Sequence, residues 1–452
     1  MSPLRYALLA ALALAGCARS AQPDVLLVVV DTLRADRLGA YGFSAPVSPN
    51  VDALAARGVV FERAIAASTK TAPSVSSLLT SRWVGRHSVG ALNGTTRLDG
   101  QETLAQRLHP VGYATAAFIG NMVLKRRIGL DAGFDVYDDE LPTREANRPE
   151  FFERPAGPTT ERALAWLGGQ PGDRPVFLWV HYQDPHGPYT PPPPFDASFP
   201  ELVRADEEPL PLLPDDSGRG GIPAYQRFSE ERRPSEYLRR YAGEVAAFDA
   251  ALGRLLAAFE QRRRPRVIVV TADHGESFGE DAHWFVHGHA STPDLARIPL
   301  VLVAPGLAAG RRNEVVHHVD VAPTVLELVG APPLEGSDGL ALGPYLRAGE
   351  SLPERTVFCD AGADMAAYGA DRYFRFWLTL GGGPGAQARQ GTFRWGPGIP
   401  PRLVPQDDGL ARELAAYRGT RTKVRYHGAA LSDEDVARLR ALGYAVPARE
   451  EH

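Results

Sequence analysis

Val25-Leu26-Leu27-Val28-Val29-Val30-Asp31-Thr32 is an unbroken apolar run of strand length that stops on a carboxylate, and Val267-Ile268-Val269-Val270-Thr271-Ala272-Asp273-His274 repeats the arrangement far downstream. Runs of this kind, apolar without alternation, read as strands covered on both faces, as in parallel sheets. Further runs at residues 114–119, 176–181 and 300–304 alternate with helical stretches. The expected fold is therefore α/β, with a mostly parallel central sheet sandwiched by helices. Sites in such sheets collect beyond the carboxyl ends of the strands, where Asp31, His181 and Asp273 fall. The strongest helical periodicity spans residues 241–259, with Val245, Phe248, Leu252, Leu255, Leu256 and Phe259 on one face. It reads as scaffold.

Between the two carboxylate-ended strands lies Ser68-Thr69-Lys70-Thr71-Ala72-Pro73-Ser74-Val75. Two carboxylates, an imidazole and the Thr71 hydroxyl could share one cation. A free hydroxyl is a poor nucleophile at neutral pH, and a divalent ion beside it is one way to make it reactive. The alternative is that Asp31 and Asp273 merely end their strands. A helix is expected to begin within residues 71–79, because Pro73 suits a first turn. Its amino terminus would then face any anion carried on Thr71. Lys70, next in sequence, is a candidate partner for that anion.

The same residues, taken with several others in order, resemble the sulfatase-like branch of the alkaline phosphatase superfamily. The match runs through Asp31-Thr32-Leu33-Arg34-Ala35-Asp36, Thr71-Ala72-Pro73-Ser74, His181-Tyr182-Gln183-Asp184-Pro185-His186-Gly187, Asp273-His274-Gly275-Glu276, His287-Gly288, Asp320-Val321-Ala322-Pro323-Thr324 and Leu439-Arg440-Ala441-Leu442-Gly443-Tyr444. The resemblance implies an alkaline-phosphatase-like fold with a small C-terminal subdomain. It implies Thr71 as nucleophile, with Asp31, Thr71, Asp273 and His274 holding one divalent ion. His186 and His287 match positions that contact the transferred group or protonate its leaving oxygen, work suited to histidine near neutral pH. His289, which takes a position where relatives often carry asparagine, and His283 could touch substrate. A second ion on Asp184, His186 and His287 is the alternative, but their spacing differs from the Asp-x-x-x-His of two-metal relatives, so one ion is expected.

The departures from the family carry chemistry of their own. Sulfatases place an oxidisable Cys or Ser within Cys-x-Pro-x-Arg and convert it to formylglycine, whereas this chain reads Thr71-Ala72-Pro73-Ser74-Val75. A threonine sulfate ester lacks the exit that the aldehyde hydrate provides, while a phosphorylated threonine can be attacked at phosphorus by water or an alcohol. The pattern thus points to phospho-ester or phosphonate chemistry. Sulfatases also carry Asp-Asp and Asp-Asn where this chain has Asp31-Thr32 and Asp273-His274. Exchanging a carboxylate for an imidazole favours manganese or zinc, with calcium or magnesium as alternatives. The ligand set resembles phosphonate monoester hydrolases and the envelope glycerol-phosphate transferases. Transfer of a phospho-group to an envelope glycan or lipid is one rival to hydrolysis. An inactive binding lipoprotein is another, though it would have no chemical need for all four metal-site groups.

With 452 residues, 44% apolar content and a formal charge of −5, the chain can bury a large core and offers no broad basic field for nucleic acid. Short clusters such as Arg262-Arg263-Arg264 read as solvated surface. Arg5 precedes a short apolar run, and Leu14-Ala15-Gly16-Cys17 fits a lipoprotein cleavage pattern. Residues 1–16 are expected to be a signal peptide and Cys17 a lipidated membrane anchor. The chain would then face the cell envelope, at the outer membrane or in the periplasm of a Gram-negative cell. The expected catalytic domain spans 17–346, with a Pro/Gly-rich excursion at 189–233 that reads as a lid or substrate wall over the pocket, or as a disordered surface insertion. Residues 347–452 are the expected small subdomain, ending in a helix at 432–442. The substrate is a small-molecule, glycan or lipid ester.

Overall fold

The computed structural model describes residues 21–87, 89–90, 94, 96–98, 100–378, 387–421 and 427–428. Strands β1 (Asp24–Val30), β2 (Val59–Ile65), β3 (Ala114–Ile119), β4 (Val136–Asp138), β5 (Val176–Tyr182), β6 (Arg266–Ala272), β7 (Arg297–Ile298), β8 (Leu300–Val303) and β9 (Gly310–His317) form a nine-stranded sheet. Its order is β7-β2-β8-β6-β1-β5-β3-β4, with β9 paired to β2. The two apolar runs that end on carboxylates are thus neighbours. β1 runs parallel to both β5 and β6, with Val30 level with Tyr182 on one side and Ala272 on the other. Every residue of β1 is buried, as an unalternating run requires.

The expected parallel sheet holds from β4 to β6. β8, read as another parallel strand, runs antiparallel to β6 and β2. The segment from Asp273 to Ala296 contains only a 3-10 turn at Glu280–Ala282 and the short helix Pro293–Ala296, so it lacks the covering crossover that a parallel return needs. β2 and β9 escaped the sequence reading because charges interrupt their apolar pattern. Glu62 and Arg63 sit in the middle of β2, and Arg311-Arg312-Asn313-Glu314 within β9. The charges find partners across the sheet edge: Glu62 takes Arg311 at 2.5 Å and Arg297 at 3.6 Å.

The covering helices include α1 (Thr71–Thr80), α2 (Ala156–Gly168), α3 (Pro234–Glu260) and α4 (Val321–Val329). α3 is longer than its periodicity suggested and buries Val245, Phe248, Leu252, Leu255 and Phe259 in one core with β1, β5 and β6. A second, antiparallel sheet follows as a meander: β10 (Val357–Asp360), β11 (Asp364–Tyr368), β12 (Arg372–Leu378), β13 (Ala388–Gly396) and β14 (Ile399–Val404). Helix α5 (Asp408–Arg421) packs Leu410, Leu414 and Tyr417 on it. Tyr368 and Trp395 of this sheet join Ile65 and Ala296 in a shared cluster, which seats the small sheet against the β2–β7 edge. The segment 189–233 is irregular but packed, with 3-10 turns at Phe195–Ala197, Pro200–Leu202 and Ala224–Gln226. The expected helix at 432–442, the motif at 439–444 and the anchor sequence through Cys17 lie outside the described residues. Among the described residues no helix is long and apolar enough to cross a membrane.

One basic cluster is not the solvated surface that its composition suggested. Arg262 reaches the fully buried Asp24 at 2.7 Å, and Arg264 lies 3.5 Å from the other carboxylate oxygen. The same carboxylate accepts Val176 N at 2.9 Å, tying β1 to β5 at their amino ends. Removing one partner of a buried pair strands the remaining charge. Arg262→Ala should lower the unfolding free energy in urea by about 3 kcal/mol, and exposed Arg263→Ala by less than about 0.5 kcal/mol.

Candidate active site

The parallel registers of β5, β1 and β6 bring three strand ends together, and each contributes a fully buried group: His181, Asp31 and Asp273. One ligand atom from each lies within 4.8 Å of the others. His274, next to Asp273, sets Nε2 3.8 Å from Asp31 Oδ1, 3.6 Å from Asp273 Oδ2 and 3.3 Å from the Thr71 hydroxyl. These spacings suit a shared cation, since tetrahedral bonds of about 2.1 Å put ligand atoms roughly 3.4 Å apart. The structure thus brings together Asp31, Thr71, Asp273 and His274, and adds His181, to which sequence reasoning gave no role. The available signal was its position near the end of a strand between two others carrying acids.

The surrounding hydrogen bonds leave the inner atoms bare. Asp31 Oδ2 accepts Asn121 Nδ2 at 2.7 Å, and Asp273 Oδ1 accepts the amides of Thr32 and His274 at 3.1 and 2.7 Å. His274 Nδ1 donates to Gly275 O at 3.0 Å, which turns an unprotonated Nε2 inward. Asp31 Oδ1, Asp273 Oδ2 and both His181 ring nitrogens are buried and have no hydrogen-bond partner among the described residues. Polar atoms left so in a protein interior are costly. Burial and repulsion from Asp273 raise the Asp31 carboxyl well above its ordinary range. Asp273 shifts the other way: burial opposes its charge, but His274 and His181 hold it below the usual carboxylate range. Burial pushes His274 down to about 4, against the pull of Asp273. A divalent ion fits this donor set and would pair Asp31 Oδ1, Asp273 Oδ2 and one ring nitrogen of His181.

Thr71 is the first residue of α1, whose ten residues are all buried. The helix is fixed to β6 by Ser74, whose hydroxyl donates to Asp273 O at 2.7 Å and meets His318 Nδ1 at 3.0 Å. His318 Nε2 in turn donates to Ala272 O at 2.9 Å. The positive end of the α1 dipole therefore points toward Thr71. The sequence reading named neither Ser74 nor His318 as site residues.

A row of imidazoles leads away from the carboxylates. The His287 ring lies 4.6 Å from that of His274 and 5.1 Å from that of His186. His287 Nδ1 faces Glu276 Oε1 at 3.3 Å, and the buried Glu276 also accepts Tyr189 OH at 3.2 Å. His186 donates from Nδ1 to Gly187 O at 2.7 Å, and its ring stacks on Phe151. Burial first, then His287 and Arg148, keep His186 neutral. Asp184 belongs to another cluster: it accepts Ala156 N at 2.7 Å and shares a hydrogen bond with Glu244. It is therefore engaged away from the two histidines with which a second ion would have used it.

Lys70 lies against Gly288, where a β-carbon would come within 3.1 Å of Lys70 Cε. His289 stacks on His283 at 4.0 Å, and both its ring nitrogens are buried with no hydrogen-bond partner among the described residues. These two histidines line a cavity of about 1070 Å³ between the 280–297 segment and the small sheet, opposite Tyr373, Trp377 and Phe393. Thr71 does not line it.

The fold is α/β with a mostly parallel central sheet, and its buried acid–imidazole cluster is a candidate metal site. Residues 23–331 match the family profile described as Sulfatase, and the chain belongs to the sulfatase family of hydrolases. It is 25% identical over 415 residues to the multifunctional alkaline phosphatase superfamily protein PehA of Trinickia caryophylli, covering 74% of this chain and 79% of that one. It is 24% identical to an N-acetylglucosamine-6-O-sulfatase of Bacteroides thetaiotaomicron, covering 75% of this chain and 74% of the relative. In fold it is similar to the phosphonate monoester hydrolase of Agrobacterium radiobacter, with a TM-score of 0.63 at 20% identity, covering 88% of this chain and 96% of that one. BT4656, solved with D-glucosamine-2-N,6-O-disulfate, gives a TM-score of 0.69 at 17% identity, covering 89% and 98%.

Asp273→Ala and His181→Ala should each purify with less than about a tenth of the wild-type divalent metal, because loss of a ligand from so small a set leaves too little to compete with buffer. Inductively coupled plasma analysis reads the content. Wild-type content in Asp273→Ala contradicts the ligand set, and wild-type content in His181→Ala returns it to Asp31, Thr71, Asp273 and His274.

Proposed function

We propose that this hydrolase cleaves a phospho-ester or phosphonate bond through a covalent intermediate on Thr71, at one divalent ion held by Asp31, Asp273, His274 and His181 with Thr71. The observation that carries the reading is the Thr71 hydroxyl itself: it sits at a helix amino terminus, 3.3 Å from His274 Nε2, in a segment with no residue convertible to an aldehyde at that position. Two carboxylates with imidazoles form the mixed donor set that suits manganese or zinc. Bound there, the ion supplies the positive charge that favours loss of the Thr71 proton and neutralises the nonbridging oxygens.

The chain's own groups divide the remaining work. Thr71 Oγ attacks phosphorus and displaces the alcohol. The α1 amino terminus and Lys70 favour the anion that results. His287 protonates the leaving oxygen, since Glu276 faces its far nitrogen as a carboxylate faces the histidine of a hydrolytic triad. The neutral, buried His186 acts beside it as a hydrogen-bonding wall rather than as the acid. Water then attacks phosphorus and restores Thr71; an alcohol in its place would make the reaction a transfer. The cavity lined by His289 takes the remote part of an extended glycan or lipid ester. The lipoprotein pattern ending at Cys17 supports an enzyme anchored to a membrane in the cell envelope.

Aryl phosphodiester, phosphonate and sulfate substrates with one leaving group test the bond type. The wild type should turn over the phosphorus esters faster. Thr71→Ala should lose several orders of magnitude, roughly the effect of deleting a nucleophile, and Thr71→Ser should retain partial activity. Faster hydrolysis of the aryl sulfate by unmodified wild type overturns the reading.

A further inference from the structure

The segment 189–233 reaches the backbone that carries the histidine row. Phe285, two residues before His287, holds φ at +55°, a left-handed conformation that is strained for a bulky residue and persists only when its surroundings enforce it. Its carbonyl oxygen receives two side-chain donors from the segment, Tyr225 OH at 2.6 Å and Gln226 Nε2 at 3.2 Å. Its own N–H donates to Ser277 O at 2.7 Å. Two further backbone bonds stitch the same loop to the segment, Trp284 N to Gly218 O at 2.8 Å and Gly220 N to Ala282 O at 2.7 Å.

Gln226 also lies against the residue that follows the other histidine. A β-carbon on Gly187 would meet Gln226 Nε2 at 1.8 Å, so the amide lies directly on the backbone that follows His186. Tyr225 makes the parallel connection through its ring. Arg148 stands over Tyr225 at 4.1 Å and over Phe151 at 5.0 Å, and Phe151 stacks on His186 at 5.9 Å with an interplanar angle of 3°. Tyr225 and Gln226 are thus both buried and both contact the supports of His186 and His287 at once.

We infer that residues 225–226 form a brace that sets the position of His287 relative to His186, and that Tyr225 and Gln226 are positioning residues for proton delivery to the leaving group. The segment 189–233 in this role is a fixed support and not a lid. The inference rests on the reading of His287 as the proton donor. Displacement of a reacting group by about 1 Å can cost on the order of 100-fold in rate, and a general acid matters most when the leaving group is poor.

The test compares wild type, Tyr225→Phe, Gln226→Glu and His287→Ala on phosphonate esters with phenyl and 4-nitrophenyl leaving groups. Tyr225→Phe removes only a hydroxyl, and Gln226→Glu keeps shape while removing the donor to Phe285 O. Both should retain wild-type metal content and KM. Their kcat should fall about 10- to 100-fold on the phenyl ester and far less on the 4-nitrophenyl ester, the pattern also expected of His287→Ala. Equal losses on both esters, or none, overturn the brace when His287→Ala shows the split. If His287→Ala shows no split, the proton-donor reading falls, and nitrogen NMR of the histidine rings decides the brace alone. Shifted His186 and His287 resonances in Tyr225→Phe support it, and unchanged ones overturn it.

Discussion

Two carboxylates buried side by side at the centre of a sheet are the constraint around which this enzyme is arranged. Asp31 and Asp273 are both fully buried, and each ends one of two adjacent parallel strands. Their repulsion in a site screened from water would be severe if nothing opposed it. The protein answers on the outer side with Asn121 and the amides of Thr32 and His274, leaving the inner oxygens to the imidazoles and to a cation. Thr32 adopts a left-handed backbone at φ +53° while its amide donates to Asp273. Backbone strain of this kind is sustained where surrounding structure over-determines it.

The rest of the molecule holds that centre at fixed geometry. Helix α1 brings Thr71 in and is pinned by Ser74 and His318 to the end of β6. The loop after β6 carries Glu276 and His287 out of the core and returns as β8, which explains why that strand runs antiparallel. The small sheet contributes through Arg375, which pairs with Asp364 on its own sheet at 2.7 Å and with Asp281 of that loop at 2.5 Å. One loop is therefore supported from both sides, by the small sheet and by the 189–233 segment, and it bears the histidines through which leaving group and substrate would be handled.

The parallel half of the fold was legible because apolar runs of strand length leave no other reading, and their terminal Asp31 and Asp273 marked the site. Thr71 stood out as a candidate because it takes the family's nucleophile position, and the structure sets its hydroxyl 3.3 Å from His274 Nε2. His181 was placed at a strand end beside Asp31 and Asp273 but given no ligand role, because the pairing of the three strands that brings them together is not written in the sequence. β2 and β9 were hidden by charges that interrupt their apolar pattern and pair across the sheet edge. Arg262 looked like surface because its partner, Asp24, is distant in sequence. The supports of His287 at Tyr225, Gln226 and Arg375 were equally invisible, because each acts over a long sequence separation and none belongs to a motif.

The central claim is that Thr71 itself carries the transferred group and that the group contains phosphorus. Acid-quenched turnover of a slow aryl phosphonate or phosphodiester, followed by peptide mass spectrometry, reads this directly. The account predicts one phosphoryl or phosphonyl increment on the peptide containing Thr71, present only with substrate and absent from Thr71→Ala. An increment on another residue, or a Thr71 peptide unmodified while turnover proceeds and the intermediate is shown to accumulate, would contradict it.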